Sequence, residues 1–150
     1  SVSILDDTEI VYLARAAQRR VMSIGLMPGS RLPAHCTSMG RVLLAALPES
    51  ESRAIVERSD LTPRTAYSLT VPDEIMARIR QARTEGHAVI DQEIELGLRS
   101  LAVPLYDMRG QVAAALNTGV AAVQSSAEDL LPLYLPPLLR VQEGLRRVLP

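Results

Sequence analysis

The chain has 150 residues, 47% of them hydrophobic, which is enough for one domain with a packed core. Its 16 basic and 17 acidic residues leave a net charge of −1, without the basic excess that displaces counterions from phosphates, so this chain alone is not expected to grip nucleic acid. No run approaches the roughly 18 apolar residues that span a bilayer, no signal peptide is visible, and the single cysteine, Cys36, excludes an intramolecular disulfide and suits a reducing cytoplasm.

With no Phe and no Trp, aliphatic side chains must fill the core. From Ser1 the chain runs straight into strand-like sequence, as expected of a domain cut from a longer protein. Residues 2–5 are apolar, Asp6-Asp7-Thr8 has turn chemistry, and 10–13 is rich in β-formers, which together make a hairpin pattern. A third apolar segment, 21–26, ends at the loop signal Pro28-Gly29-Ser30 and reads as a strand, while 14–20 is also compatible with helix. Thr37 is the expected N-cap of a helix carrying the apolar run 42–47. Pro48 opens a second short helix to about residue 58. Thr70 and Asp73 form a capping-box-like pair ahead of a third helix, whose Ile75, Met76, Ile79 and Ala82 share one face and which Gly86 closes. Beyond it the period becomes strand-like over 87–93 and 98–106. Asp107-Met108-Arg109-Gly110 reads as a hairpin loop with Gly110 at positive φ, and 111–120 as the partner strand. Ser126 caps a last helix to about residue 148, in which Pro132, Pro136 and Pro137 are expected to force a kink or a break. Strands paired through a tight hairpin, with helices inserted and appended, give an α+β domain on an antiparallel sheet.

Two stretches carry a family resemblance. Gly29-Ser30-Arg31-Leu32-Pro33-Ala34-His35-Cys36-Thr37-Ser38-Met39-Gly40-Arg41-Val42-Leu43-Leu44-Ala45 resembles the signature of the IclR effector-binding domain. Asp91-Gln92-Glu93-Ile94-Glu95-Leu96-Gly97-Leu98-Arg99-Ser100-Leu101-Ala102-Val103-Pro104-Leu105, then Asp107, Gly110 and Ala113-Ala114-Ala115-Leu116-Asn117, is similar to it in order and spacing. The resemblance covers nearly the whole chain, and the 36–41 wording is closest to the branch that controls aromatic-acid and β-ketoadipate catabolism (the PcaR and PobR type). It implies a GAF-like fold in which helices flank an antiparallel sheet, no catalysis and no cofactor. It also implies a homodimer or homotetramer, and a winged helix-turn-helix DNA-binding domain upstream of residues 1–150 in the full protein. By the same resemblance, the 37–41 helix start and the 98–103 and 113–119 strand positions line an effector pocket.

The residues themselves leave choices open. A helix beginning at Thr37 presents unpaired N–H groups with partial positive charge, a place for a carboxylate with close approach at Gly40; the plain alternative is a capped core helix packed tightly at Gly40. The period-two rule puts Leu98, Ser100 and Ala102 on one face of their strand and Arg99, Leu101 and Val103 on the other. Ala113, Ala115, Asn117 and Gly119 lie together on the partner strand. Small and polar residues there leave a space in which Ser100 and Asn117 could orient a ligand, unless that face is simply solvated. Arg99, opposite Ser100, reads as structural. Asp91 is a candidate ligand contact, or else belongs with Glu93 and Glu95 to one wet face of an edge strand; no second His or Cys is spaced to support a metal there. Adjacent His35 and Cys36 point to opposite sides of an extended segment, and a lone Cys beside apolar sequence is usually a small buried hydrophobe; Cys36 is read as lining the pocket.

The reading is a non-enzymatic sensor of a small carboxylate, an aromatic or dicarboxylic acid of the β-ketoadipate pathway. It would be held by Ile24, Leu32, Cys36, Ser38, Met39, Asp91, Leu98, Ser100 and Asn117, with its carboxylate on the amides near Ser38 and Met39. Two rivals stand beside it. A cysteine hydrolase using Cys36, His87 and Asp91 needs those side chains within hydrogen-bond reach of one another. A domain that only oligomerises needs a filled interior.

Overall fold

In a computed structural model, which describes residues 1–16 and 25–150, the described residues build one six-stranded antiparallel sheet and four helices. The opening hairpin pairs β1 (Val2–Asp6) with β2 (Glu9–Ala14), its turn made at Asp7, which adopts φ 55 as short polar residues tolerate. The strand expected over 21–26 falls mostly outside the described residues. Residues 21–24 lie outside the described residues, Gly25 and Leu26 are not in a strand, and β3 (Arg31–Pro33) pairs with β2 after the Pro28-Gly29 turn.

Helix α1 (Ser38–Ala45) is capped by Thr37, whose Oγ1 accepts from the Gly40 amide, and α2 (Glu49–Glu57) begins after Pro48. Helix α3 (Pro72–Glu85) has Val71 at its N-cap with no side-chain cap bond, which corrects the Thr70–Asp73 capping box; Pro72 supplies the preset φ of a first turn instead. Gly86 closes it in the left-handed conformation, φ 77. The chain then makes β4 (Ala88–Asp91), β5 (Leu98–Tyr106) and β6 (Val112–Ala121), and the sheet order is β3-β2-β1-β6-β5-β4. Between β5 and β6, Asp107 Oδ1 accepts from the Arg109 and Gln111 amides and Gly110 takes φ 80.

The last helix, α4 (Ala127–Arg146), runs through Pro132, Pro136 and Pro137 without a break. A proline removes the donor to the carbonyl four residues earlier. Here those carbonyls belong to Glu128, Pro132 and Leu133, all exposed residues whose oxygens water can satisfy.

Alternation along β5 serves two cores. Ala102, with Ala115 of β6, packs under Met39, Val42, Leu43, Ile75 and Ile79 of α1 and α3. Leu101 and Val103, with Val120, meet Leu130 and Leu138 of α4. Each fully buried Leu, Ile or Met in these layers stabilises the fold by about 1.5–3 kcal/mol through apolar burial. The central strands are therefore clamped from both sides, and the α1 face of the sheet is the one that opens into a hollow.

Candidate functional site

On the α1 face, the packed layer stops where the side chains become small. Ala102 faces Asn117 across the ladder, and Ser100 faces Gly119. Neither pair fills the space that Leu or Phe would occupy. A cavity of about 470 Å³ opens there. Leu98 and Ser100 of β5, Asn117 and Gly119 of β6, Leu32 of β3 and Tyr12 of β2 line it, together with Thr37, Ser38 and Met39 at the start of α1 and Ile94 and Glu95 from the turn before β5.

The helix start is held firmly. Thr37 Oγ1 donates to the Pro33 carbonyl at 2.9 Å and accepts from the Gly40 amide at 3.2 Å. That bond satisfies one of the amides a helix leaves orphaned; those of Ser38 and Met39 precede the first intrahelical donor, the Arg41 amide bonded to the Thr37 carbonyl, and have no acceptor within the helix. Ser38 is 2% exposed and lines the cavity, and its buried hydroxyl has no hydrogen-bond partner among the described residues. Met39 is fixed by its thioether, which accepts from Ser3 Oγ at 3.2 Å. A Cβ at Gly40 would lie 2.0 Å from the Ala34 carbonyl oxygen, so only glycine lets α1 sit this close to the preceding segment.

Behind the helix start lies a pair that sequence periodicity did not reveal. Arg41, 2% exposed, sends a two-pronged fork to Glu93 at 2.9 and 2.7 Å, and its Nε donates to the His35 carbonyl at 2.9 Å. Glu93 is therefore buried and paired, which corrects the wet face of Asp91, Glu93 and Glu95: β4 ends at Asp91, and Gln92 at φ 61 turns the chain. A bidentate arginine–carboxylate pair of this kind fixes geometry as well as charge.

Of the expected ligand contacts, the structure brings Leu32, Ser38, Met39, Leu98, Ser100 and Asn117 around the one cavity. Ile24 lies outside the described residues. Cys36 and Asp91 are not among the lining residues. Cys36 packs just ahead of the Thr37 cap at 3% exposure, and burial pushes its thiol up to about 11, so it is no thiolate at neutral pH. Asp91 turns to the opposite face of the sheet, where Oδ1 accepts from Arg99 Nε at 2.8 Å. Arg99 also donates to the Ala122 and Ser125 carbonyls, tying β5 to the segment before α4. Among the described residues Cys36, His87 and Asp91 make no hydrogen bond to one another. A second cavity of about 510 Å³ near Asp91 is lined by Arg41, which is paired with Glu93, by Asp91, which is paired with Arg99, by Arg78, which donates to Gln81, and by His87, whose Nε2 lies 3.4 Å from Glu85. The first cavity is the one that the sequence-predicted ligand contacts line.

Tyr12 and Glu95 complete the first cavity and were not foreseen. Tyr12 follows the in-facing alternation of Ile10 on β2, a signal the sequence does carry; burial raises its phenol, and the Arg15 guanidinium pulls the other way. Glu95 owes its place to the 92–97 turn, which no periodicity describes. Its Oε2 is buried and unpartnered.

The family model for the C-terminal region of the bacterial transcriptional regulator IclR matches residues 1–143. The chain belongs to this family. This IclR-type domain is 44% identical over 146 residues to the Pca regulon regulatory protein of Pseudomonas putida, covering 97% of this chain and 50% of that protein. It is 34% identical to the Pca operon regulatory protein of Acinetobacter baylyi, covering 99% of this chain and 55% of that protein. The chain thus spans about half the length of the curated relatives it matches. It is also similar to the crystal structure of a double mutant of the PobR transcription factor inducer-binding domain from Acinetobacter, in complex with 3-hydroxybenzoic acid. There the TM-score is 0.91 at 31% identity, covering 99% of this chain and 87% of that one. The relatives are transcription regulators and not enzymes, and the hydrolase alternative finds no support among them. The domain is an effector-binding module of the IclR type. Among the described residues no helix is long and apolar enough to cross a membrane.

Proposed function

We propose that this domain binds a small carboxylate, an aromatic or dicarboxylic acid, in the cavity beneath α1, and that occupancy controls DNA binding by a winged helix-turn-helix domain upstream of residues 1–150 in a cytoplasmic homodimer or homotetramer. The observation that carries the reading is that Ser38 and Met39, at a helix start whose first amides have no intrahelical acceptor, line one cavity with Ser100, Asn117 and Gly119. Helix-start amides favour an anion, and a concave site that brings a few polar groups together beside apolar side chains suits a small molecule. The relatives that regulate pca genes, and the inducer-binding domain with a hydroxybenzoic acid bound, support an acid of this class. Leu98 and Leu32 would carry the body of the ligand, and Ser100 and Asn117 its polar groups. Regulation follows only if one arrangement of the oligomer binds the acid better than another, with a coupling of about 1–3 kcal/mol.

Calorimetric titration of the parent and Ser100→Leu with benzoate, 4-hydroxybenzoate and adipate tests the placement. Leucine fills the floor opposite Gly119, so affinity is expected to fall at least about tenfold, the loss that a blocked or mismatched apolar pocket gives. Unchanged affinity in a folded Ser100→Leu protein rejects it.

A further inference from the structure

We infer that the Tyr12 phenol donates a hydrogen bond to the carboxylate of the bound acid, so that one tyrosine hydroxyl on β2 completes the anion site at the start of α1. The inference rests on the cavity being a carboxylate site.

Tyr12 is 5% exposed and lines the cavity. A buried tyrosine hydroxyl normally finds a hydrogen-bond partner, and one without a partner is unfavourable. The Tyr12 phenol has none among the described residues. Nor is its oxygen one of the partnerless side-chain atoms sealed from solvent there, which belong to His35, Ser38, Glu95 and Ser125, so it keeps surface that a ligand atom can reach. Tyr12 therefore brings to the cavity a hydroxyl that is both reachable and unpaired. Burial holds this phenol above its ordinary value, with the Arg15 charge opposing, so at neutral pH it is protonated and can donate. An ionised carboxylate only accepts, and a bond from a neutral donor to such an anion is stronger than one to a neutral acceptor.

The sheet puts Tyr12 at the helix-start end of the cavity. In the β1–β2 ladder it stands opposite Ser3, and Ser3 Oγ donates to the Met39 thioether at 3.2 Å, so the row that carries Tyr12 lies beneath the first turn of α1. Tyr12 belongs to the same packed cluster as Met39. Its main chain is fixed as well, the amide donating to the Ser30 carbonyl at 2.9 Å and the carbonyl accepting from the Gly29 amide at 2.7 Å. Ser100 stands on β5, three strand spacings or about 14 Å from β2, so the two hydroxyls meet different parts of a bound acid. A tyrosine offers its donor on a stiff ring, which leaves little conformational entropy to lose when the ligand arrives.

The test compares the 150-residue chain with its Tyr12→Phe variant, which keeps the ring and its packing and removes the oxygen alone. Calorimetric titration uses benzoate, 4-hydroxybenzoate and adipate, whose common group is the carboxylate. Each acid that the parent binds is expected to weaken about tenfold or more in Tyr12→Phe, the loss that follows when a charge-assisted hydrogen bond goes. Thermal unfolding without ligand separates this role from a structural one. A hydroxyl with no partner in the protein stabilises nothing, so the unliganded variant should match or exceed the parental Tm. Benzoate or adipate bound by Tyr12→Phe as tightly as by the parent overturns the assignment, and if 4-hydroxybenzoate alone weakens, the phenol meets the ring hydroxyl instead. A lower unliganded Tm overturns it too, because the phenol then has a partner within the protein. A parent that binds none of the three acids removes the carboxylate-site reading itself, and this inference with it.

Discussion

Replacing Gly40 with alanine should destabilise the domain, although the helix rule says the opposite. In a helix interior alanine is better than glycine by about 1 kcal/mol. In this structure the added Cβ would sit 2.0 Å from the Ala34 carbonyl oxygen and 2.4 Å from its Cα, both backbone atoms that cannot rotate away. Reaching the 3.0 Å that real Cβ atoms keep requires α1 to move by the difference, 1.0 Å. That shift stretches the bonds from Thr37 to Pro33, now 2.9 Å, and from Arg41 to the His35 carbonyl, now 2.9 Å, beyond hydrogen-bonding range. Overpacking costs about 1–3 kcal/mol or more, and each weakened hydrogen bond about 0.5–1.5 kcal/mol. After the propensity gain, the net loss is expected at about 2 kcal/mol, or a Tm lower by roughly 4–8 °C for a chain of this size. Gly144 is the internal control: it lies in α4 with nothing within 4 Å of its added Cβ, so Gly144→Ala should hold or raise Tm. Thermal unfolding of the two variants side by side decides the matter. If Gly40→Ala is as stable as the parent, the close approach of α1 to the 34–37 segment, and with it the geometry of the cavity wall, is wrong.

Two other perturbations have definite signs. Glu93→Gln leaves the Arg41 guanidinium buried at 3% side-chain exposure without its anion, so unfolding free energy by urea titration should drop by about 3–5 kcal/mol; an effect below about 1 kcal/mol would show that the pair is not desolvated in solution. His35 has its pKa lowered from 6.5, first by burial and then by the Arg41 and Arg64 charges, with Asp60 opposing. A histidine depressed in the native state leaves the unfolded chain holding more protons between the two values, so stability is intact above 6.5 and declines as pH falls through that window. His35→Gln should flatten the loss of Tm between about pH 7 and about pH 5, and an unchanged slope would place the pH sensitivity elsewhere.

Much of this architecture can be read from local signals, and the failures have physical causes. The bounds of β5, the Thr37 and Ser126 caps, the Gly86 stop and the Gly110 turn all follow from rules that act within a few residues. Period two placed Ser100 and Asn117 on the cavity face because neighbouring strands hold register. It failed past Asp91, where Gln92 leaves the extended region and sends Glu93 inward to an arginine 52 residues away, information no local window contains. Cys36, read as lining the pocket, is buried ahead of the Thr37 cap instead, because the side chain before an N-cap packs according to tertiary neighbours. The three prolines of α4 broke a propensity rule at no cost in burial, because the carbonyls they orphan belong to exposed residues. Glu95 was invisible for the same reason as Glu93: its position is set by a turn.

The central claim is that a carboxylate docks on the start of α1, and backbone NMR tests it most directly. During titration of the chain with 4-hydroxybenzoate, the Ser38 and Met39 amide signals should move saturably and further than those of α2 and of the α4 C-terminus, which lie away from the cavity. Saturable binding of the acid with those two amides unmoved would contradict the account.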